Sequence, residues 1–325
     1  MTSDFSEIHD ELRSVARDLL GKDGDWQQVV DAGWVSLEIP ESLGGAGASF
    51  VETAILLEEM GRAGASNRFL GTTLAVGALM AVSPNGSRDA LLGRIADGAT
   101  TAFATGFTVK DGAVSGRAEF VPDAEGADVV LLLADSDGTP VVVTSPDLTV
   151  TAQPVLDETR TLAVVSADGA AVSESWSLTA DPVHLQDRAA VAIACDSLGV
   201  AEAMLAATVD YTKVRHQFER PIGSFQAVKH ACADMLVQTS VARQLVDAAV
   251  SDLATGRDAS VEAAMAKSYA TSTAVDVVGK AMQLHGGVGY TWESGVHVYL
   301  KRAALNRSLF GSPAEHRRRL AARYD

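Results

Sequence analysis

The sequence predicts an α+β multidomain fold with an N-terminal helical domain, a small middle β-sandwich or barrel, and a C-terminal antiparallel four-helix bundle. Residues 1–100 and 183–325 carry apolar side chains at helical spacing. Residues 101–182 are richer in Val and Thr, and Asp/Gly turn signals recur along them. A chain of 325 residues is also longer than one ordinary core needs. These three ranges are the predicted domains.

In the N-terminal domain, apolar residues over 8–20 recur every three or four positions and predict a helix. The Pro/Gly-rich stretch 39–47 predicts a turn before a second helix that begins near Ser49. Its glycines lack the G-x-G-x-x-G spacing and the βαβ context of a dinucleotide loop, so we do not interpret it as one.

The middle domain contains short β-rich runs at 129–133, 140–144 and 162–166, with turn residues between them. The C-terminal domain contains three long helical stretches at about 185–214, 224–253 and 260–284. Short turns join these helices, so we expect an antiparallel bundle. The third helix is expected to end at a glycine C-cap, Gly286-Gly287.

Composition excludes several classes of protein. Lys and Arg total 26 against 42 Asp and Glu, a net charge of −16, which argues against a nucleic-acid partner. No apolar run reaches the roughly 20 residues of a membrane span, and the polar N-terminus does not resemble a signal peptide, so we expect a cytoplasmic protein with no membrane partner. Cys195 and Cys232 lack ligand spacing, so no metal site is expected.

One region has the opposite charge, since residues 301–325 hold seven Lys and Arg against one Glu and one Asp. We interpret it as a basic last helix that pairs with acidic groups elsewhere in the chain. The alternative is a local site for a small phosphorylated ligand.

Two segments carry candidate chemistry. The connection between the first two long helices presents Arg215, Gln217, Phe218 and Arg220. A guanidinium there can bind a diphosphate through paired hydrogen bonds, and an aromatic ring can cover an adenine or flavin face. Taken alone, however, this segment reads as a helix–helix turn with solvated arginines.

The second segment is Gln283-Leu284-His285-Gly286-Gly287-Val288-Gly289-Tyr290. Its glycines allow a ligand to approach the backbone closely, and Gln283 can both donate and accept hydrogen bonds. Taken alone, it would be only a helix C-cap.

Together, in this order and spacing, the two segments resemble the C-terminal domain of the acyl-CoA dehydrogenase family. Residues 33–62, from Gly33-Trp34 to Gly61-Arg62, resemble the N-terminal domain of the same family, and the α–β–α order agrees. The resemblance implies an FAD-dependent enzyme that removes one hydrogen each from the α and β carbons of an acyl-CoA thioester. It also implies an electron-transfer acceptor protein and an oligomer, because FAD sites in this family cross subunit interfaces.

By resemblance, six residues would contact FAD. Arg215, Gln217 and Phe218 would reach the FAD of a neighbouring subunit, with Arg215 near the pyrophosphate. The ADP part would be lined by Gln283, Gly286 and Gly287.

The sequence departs from the family pattern at the catalytic base. Most members carry a Glu directly before Gly-Thr, and here Phe310 stands at that position, before Gly311-Ser312. A phenyl ring cannot accept a proton. A second base position known in the family lies early in the first long bundle helix, where Asp196 is the candidate base. The alternative for Asp196 is a structural carboxylate paired with an arginine. Asp187 is interpreted as the N-cap of that helix.

Two further departures bear on the flavin. The usual Thr-Glu-Pro run is missing between residues 101–107 and Asp111, so the loop that covers the flavin ring in the family is expected to be trimmed. Glu219 replaces the Gly of the R-x-x-F-G motif and places a negative charge near the expected pyrophosphate.

Two functions fit these observations. The first is an acyl-CoA dehydrogenase that desaturates an acyl-CoA, acting as a homo-oligomer or as one subunit of a heterotetramer on a bulky, steroid side-chain-like acyl group. The second is a non-catalytic subunit that builds an FAD site for a partner chain carrying the catalytic Glu.

Overall fold

The computed structural model describes residues 2–21 and 24–323, with side chains from residue 7 onward. Its contacts divide the chain into two compact units. The first unit comprises residues 1–22, 54–65 and 189–325, and the second comprises residues 23–53 and 66–188.

Helices occupy both ends of the chain and strands the middle, which confirms the predicted order of domains. The helices are α1 Thr2–Leu20, α2 Trp26–Asp31, α3 Phe50–Ala63, α4 Phe69–Met80, α5 Gly86–Ala96, α6 Val183–Val214, α7 Gln226–Ala254, α8 Ser260–His285, α9 Val296–Ser308 and α10 Pro313–Ala321. The strands are β1 Thr101–Lys110, β2 Ala113–Pro122, β3 Val129–Ser136, β4 Thr139–Thr144, β5 Thr149–Ala152, β6 Leu162–Ala171, β7 Glu174–Ser177, β8 His216–Gln217 and β9 Arg220–Pro221.

The middle β domain is one seven-stranded mixed sheet in the order β5-β6-β2-β1-β3-β4-β7. Its pairs are antiparallel except β1 with β3, which run parallel. One face carries a continuous hydrophobic core that all the central strands share. Among the described residues β5 and β7 form the edges, so the expected sandwich or barrel takes the form of a single open sheet.

The bundle helices α6, α7 and α8 closely match the three long helical stretches expected from the sequence. The expected N-cap was wrong, because α6 begins at Val183 and Asp187 lies buried inside it. Asp181 caps the start of the helix instead, since its carboxylate accepts a hydrogen bond from the Val183 amide at 2.8 Å.

The sequence-based expectation that no stretch is long and apolar enough to span a membrane is wrong for helix α6. By length and composition it meets that test. However, 78% of its most apolar window is buried inside the protein, which is typical of a core helix.

Candidate functional site

A groove of about 490 Å³ lies in the first unit, between the β8–β9 hairpin, the start of α7 and the end of α8. All six residues that the family resemblance assigned to FAD line it: Arg215, Gln217, Phe218, Gln283, Gly286 and Gly287. The two segments are more than 60 residues apart in the chain. The structure therefore brings together both predicted motifs in a single groove.

The β8–β9 hairpin is held in a tight two-residue turn. His216 pairs with Pro221 and Gln217 with Arg220, which leaves Phe218 and Glu219 as the central residues. Both have positive φ, +52° and +63°. A type I′ turn requires positive φ at these two positions and normally places Asn or Gly there. The hairpin therefore carries backbone strain at two side-chain-bearing residues.

The hairpin presents an unpaired cation and an exposed ring to the groove. Within the described part of the chain, the Arg215 guanidinium is exposed and has no hydrogen bond or ion pair. Phe218 is 84% exposed and meets the Phe225 ring edge-on at 6.0 Å between centroids. The Arg220 guanidinium stacks over the other ring of this pair, 4.1 Å from the Phe225 centroid. Arg215 is thus free to bind an anion.

Replacing Glu219 by Gly should stabilise the chain and strengthen cofactor binding. Glycine adopts positive φ without steric cost, so we expect the free energy of unfolding to rise by about 1 kcal/mol. Loss of the Glu219 carboxylate from the hairpin should also tighten FAD binding. Urea unfolding and FAD titration measure the two effects.

Glu219→Gln is the matched control, since it removes the charge and keeps the strained backbone. It should tighten FAD binding and leave the unfolding free energy within a few tenths of a kcal/mol of the wild-type value. Equal stability of the Gly and Gln variants would contradict the strain assigned to the turn.

The other wall of the groove is the C-terminal end of α8. Gly286 caps the helix at φ +62° and ψ −142°, a conformation open to glycine alone. Gly287 has no positive φ, and a Cβ built on it would meet no other described atom within 4 Å. Neither the backbone nor the packing of this chain therefore requires glycine at 287, and the space in front of it is open to a ligand.

Sequence reasoning gave no role to a pair of stacked groove residues, Tyr211 and His285. Their rings stack at 4.3 Å between centroids, and the Tyr211 hydroxyl donates to the His285 carbonyl at 3.2 Å. His285 Nδ1 hydrogen-bonds the Ala281 carbonyl at 2.8 Å, which fixes the ring. The two residues are 74 positions apart, so only the adjacency of His285 to Gly286 could have signalled this stack.

These features fit the ADP part of FAD. A diphosphate needs a guanidinium and close backbone approach, which Arg215 and Gly287 offer. An adenine needs an apolar or aromatic surface, which the Phe218 and Phe225 rings offer. Glu219, at the centre of the β8–β9 turn, adds a negative charge to the hairpin that opposes an anion.

Phe310, at the family's base position, lies in a rigid turn between α9 and α10. Phe310 is half-buried at φ +53°, and its carbonyl lies 2.9 Å from His316 Nε2. The buried Lys267 ammonium donates to the Gly311 carbonyl at 2.7 Å. Burial lowers the pKa of Lys267 to about 8. The turn is firmly held, and it offers no carboxylate at position 310.

Asp196 is buried in an ion pair. Its carboxylate accepts two hydrogen bonds from Arg302, at 2.6 and 3.0 Å, and both side chains are 1% exposed. Asn306 donates a third bond at 2.6 Å. Arg302 also donates to the Ala65 carbonyl, just beyond the end of α3. This arrangement favours the structural alternative for Asp196 over the catalytic base. It also gives one basic residue of the 301–325 region an acidic partner.

In the second unit, β1 and β2 are joined by a two-residue turn, Asp111-Gly112, with φ of +51° and +76°. These angles are those of a type I′ hairpin, the tightest common connection. The trimmed loop predicted from the sequence is therefore a minimal hairpin with no room for a covering segment.

Comparisons with known proteins agree with this architecture. The profile "Acyl-CoA dehydrogenase, C-terminal domain" matches residues 186–324, and "Acyl-CoA dehydrogenase, N-terminal domain" matches residues 5–99. Acyl-CoA dehydrogenase IpdE2 of Mycolicibacterium smegmatis is 36% identical over 96% of this chain and 91% of its own length. IpdE2 of Mycobacterium tuberculosis is 39% identical over 89% of this chain and 82% of its own length.

Solved structures share the fold. A variant of the Tcur3481–Tcur3483 steroid ACAD superposes with a TM-score of 0.88 at 25% identity, over 98% of this chain and 97% of that one. The ChsE4–ChsE5 complex of Mycobacterium tuberculosis gives a TM-score of 0.88 at 23% identity, over 97% of this chain and 96% of that one. From its two matched domains, its full-length relatives and its groove, this chain belongs to the acyl-CoA dehydrogenase family, whose cofactor is FAD.

Proposed function

We propose that this chain is the FAD-site-building subunit of a heteromeric, cytoplasmic acyl-CoA dehydrogenase, and that a partner chain supplies the catalytic carboxylate. One observation carries the proposal. The groove contains all six residues that the family resemblance assigns to FAD, whereas Phe310 occupies the base position and Asp196 is held by Arg302.

The groove supports an FAD-binding role for this chain's own residues. Arg215 would hold the pyrophosphate with its unpaired guanidinium. Gly286 and Gly287 would let the ADP part approach the backbone, and Gln283 would offer it an amide. When bound, FAD supplies the acceptor for the hydride that leaves the β carbon.

The proton chemistry supports the need for a partner. Desaturation removes an α proton together with the β hydride and leaves an α,β-unsaturated thioester. The proton needs an accessible carboxylate, and neither candidate in this chain provides one. Phe310 has no proton acceptor, and both Asp196 oxygens already accept hydrogen bonds in a buried site. A Glu of the partner chain would therefore take the proton.

The substrate class that we propose is a bulky, steroid-derived acyl-CoA. The structural relative at 25% identity bears the name steroid ACAD. Electrons would pass to an electron-transfer acceptor protein, as the family resemblance implies.

The test is the flavin content of the complex purified with an acyl-CoA dehydrogenase-like partner chain. Arg215→Ala should reduce bound FAD at least tenfold, because it removes the groove's free guanidinium. Arg317→Ala, an exposed arginine of α10 outside the groove, is the matched control and should leave FAD content unchanged. Full FAD content in the Arg215→Ala complex would overturn the groove assignment.

A further inference from the structure

His285 is the last residue of α8 and lines the groove next to Gly286. Its Nδ1 lies 2.8 Å from the Ala281 carbonyl oxygen, one helical turn earlier. The Tyr211 ring stacks on the imidazole with 20° between the two planes, and the Tyr211 hydroxyl donates to the His285 carbonyl. Both the side chain and the backbone of His285 are therefore fixed before any ligand binds.

The contact with Ala281 decides which ring nitrogen of His285 carries the proton. A carbonyl oxygen accepts hydrogen bonds and cannot donate them, so Nδ1 is the donor. In the neutral ring, Nε2 is then left with a lone pair as an acceptor. Across the part of the chain that the structure describes, Nε2 has no hydrogen-bond partner. His285 thus brings to the groove an acceptor that no described residue uses.

This acceptor differs from the groups that the groove offers to a diphosphate. The Arg215 guanidinium can only donate hydrogen bonds. Gln283 is oriented to donate as well, because its Oε1 accepts from Lys280 Nζ at 3.0 Å and its NH2 group is left for a ligand. The lone pair of His285 Nε2 would repel the oxygens of a phosphate. It is suited instead to a neutral N–H or O–H group.

We propose that His285 Nε2 accepts a hydrogen bond from the adenosine half of FAD and makes the groove selective for that half. The inference rests on the proposed function, in which the groove holds the ADP part of FAD. Adenosine carries two kinds of neutral donor, the exocyclic amino group of adenine and the ribose hydroxyls. Because His285 is already fixed, forming this bond costs little ordering of the protein.

The test compares the dissociation constants of three flavin dinucleotides for the complex of this chain with its partner, measured by fluorescence titration. FAD is the reference. One analogue carries hypoxanthine and lacks the amino group, and the other lacks the ribose hydroxyls. We expect the complex to bind one of the two analogues about fivefold more weakly than FAD, which is the usual contribution of a neutral hydrogen bond. The analogue that loses affinity identifies the donor.

Variants of His285 assign the preference to this residue. His285→Phe keeps a ring against Tyr211 and removes the acceptor, so it should bind FAD about fivefold more weakly and no longer distinguish it from that analogue. His285→Gln can place an amide oxygen near the position of Nε2 and should restore the preference. His230→Phe, at an exposed position of α7 outside the groove, is the control and should keep the wild-type preference.

Equal affinities of the wild-type complex for all three flavins would overturn the proposal, and that comparison does not depend on the folding of any variant. A preference that survives in His285→Phe would overturn it as well. Arg215→Ala should weaken the three flavins alike, because each of them keeps the pyrophosphate. A wild-type complex that binds none of the three would instead refute the proposed function, and this inference with it.

Discussion

Asp196→Ala is expected to lower the free energy of unfolding by about 3–5 kcal/mol, because it leaves the Arg302 guanidinium buried without its counter-ion. The Asn306 amide would lose its acceptor as well. Arg302 also donates to the Ala65 carbonyl, so the loss should loosen the contact between α9 and the end of α3. Urea unfolding of the purified chain measures the effect.

Asp196→Asn separates the two roles considered for this residue. The amide keeps the shape and one acceptor, so we expect a smaller loss of about 2–3 kcal/mol, from the charge-assisted hydrogen bonds. If Asp196 were instead the catalytic base, the Asn variant would keep the stability of the wild type, and its complex would have no turnover. A stable, inactive Asp196→Asn complex would therefore contradict the structural assignment.

Gly199→Ala is expected to prevent folding of the first unit or to cost at least about 3 kcal/mol. A Cβ at Gly199 of α6 would lie 1.9 Å from the Glu58 carbonyl oxygen of α3. The contact is reciprocal, since a Cβ at Gly61 of α3 would lie 1.9 Å from the Asp196 carbonyl oxygen. Both obstacles are backbone atoms of packed helices, so neither can move aside.

Gly279→Ala is the matched control for this substitution. Gly279 is also a helical glycine, but a Cβ there would meet no other described atom within 4 Å. Because alanine favours the helix over glycine, this variant should gain about 0.5–1 kcal/mol. Thermal unfolding measures both variants. If both were destabilised to a similar extent, the close α3–α6 contact would not be the reason that position 199 requires glycine.

The sequence was most informative about the long bundle helices and about the residues that line the groove. Helical periodicity predicted α6, α7 and α8 to within a few residues, because long apolar stripes are strong signals. The six groove residues came from the family resemblance, and the structure places them together. The start of α6 differs from the predicted N-cap at Asp187, because the Asp181 carboxylate, directly before Pro182, accepts the hydrogen bond from the Val183 amide.

Pairings between distant residues could not be predicted from one sequence. Asp196 and Arg302 are 106 positions apart, and no local pattern links them. Likewise, Lys267 reaches the Gly311 carbonyl across 44 positions. An acid on an apolar helix predicts either a functional group or a buried pair, and only the fold decides between them.

In the proposed complex, this chain builds the FAD groove and another chain provides the base. The most direct test is anaerobic bleaching of the flavin absorbance by a steroid-derived acyl-CoA thioester. We expect no bleaching with this chain alone, loaded with FAD, and full bleaching once the partner chain is present. Replacing the partner's catalytic Glu by Gln should abolish it again. Bleaching by this chain alone would contradict the account, because it would require a base that this chain supplies itself.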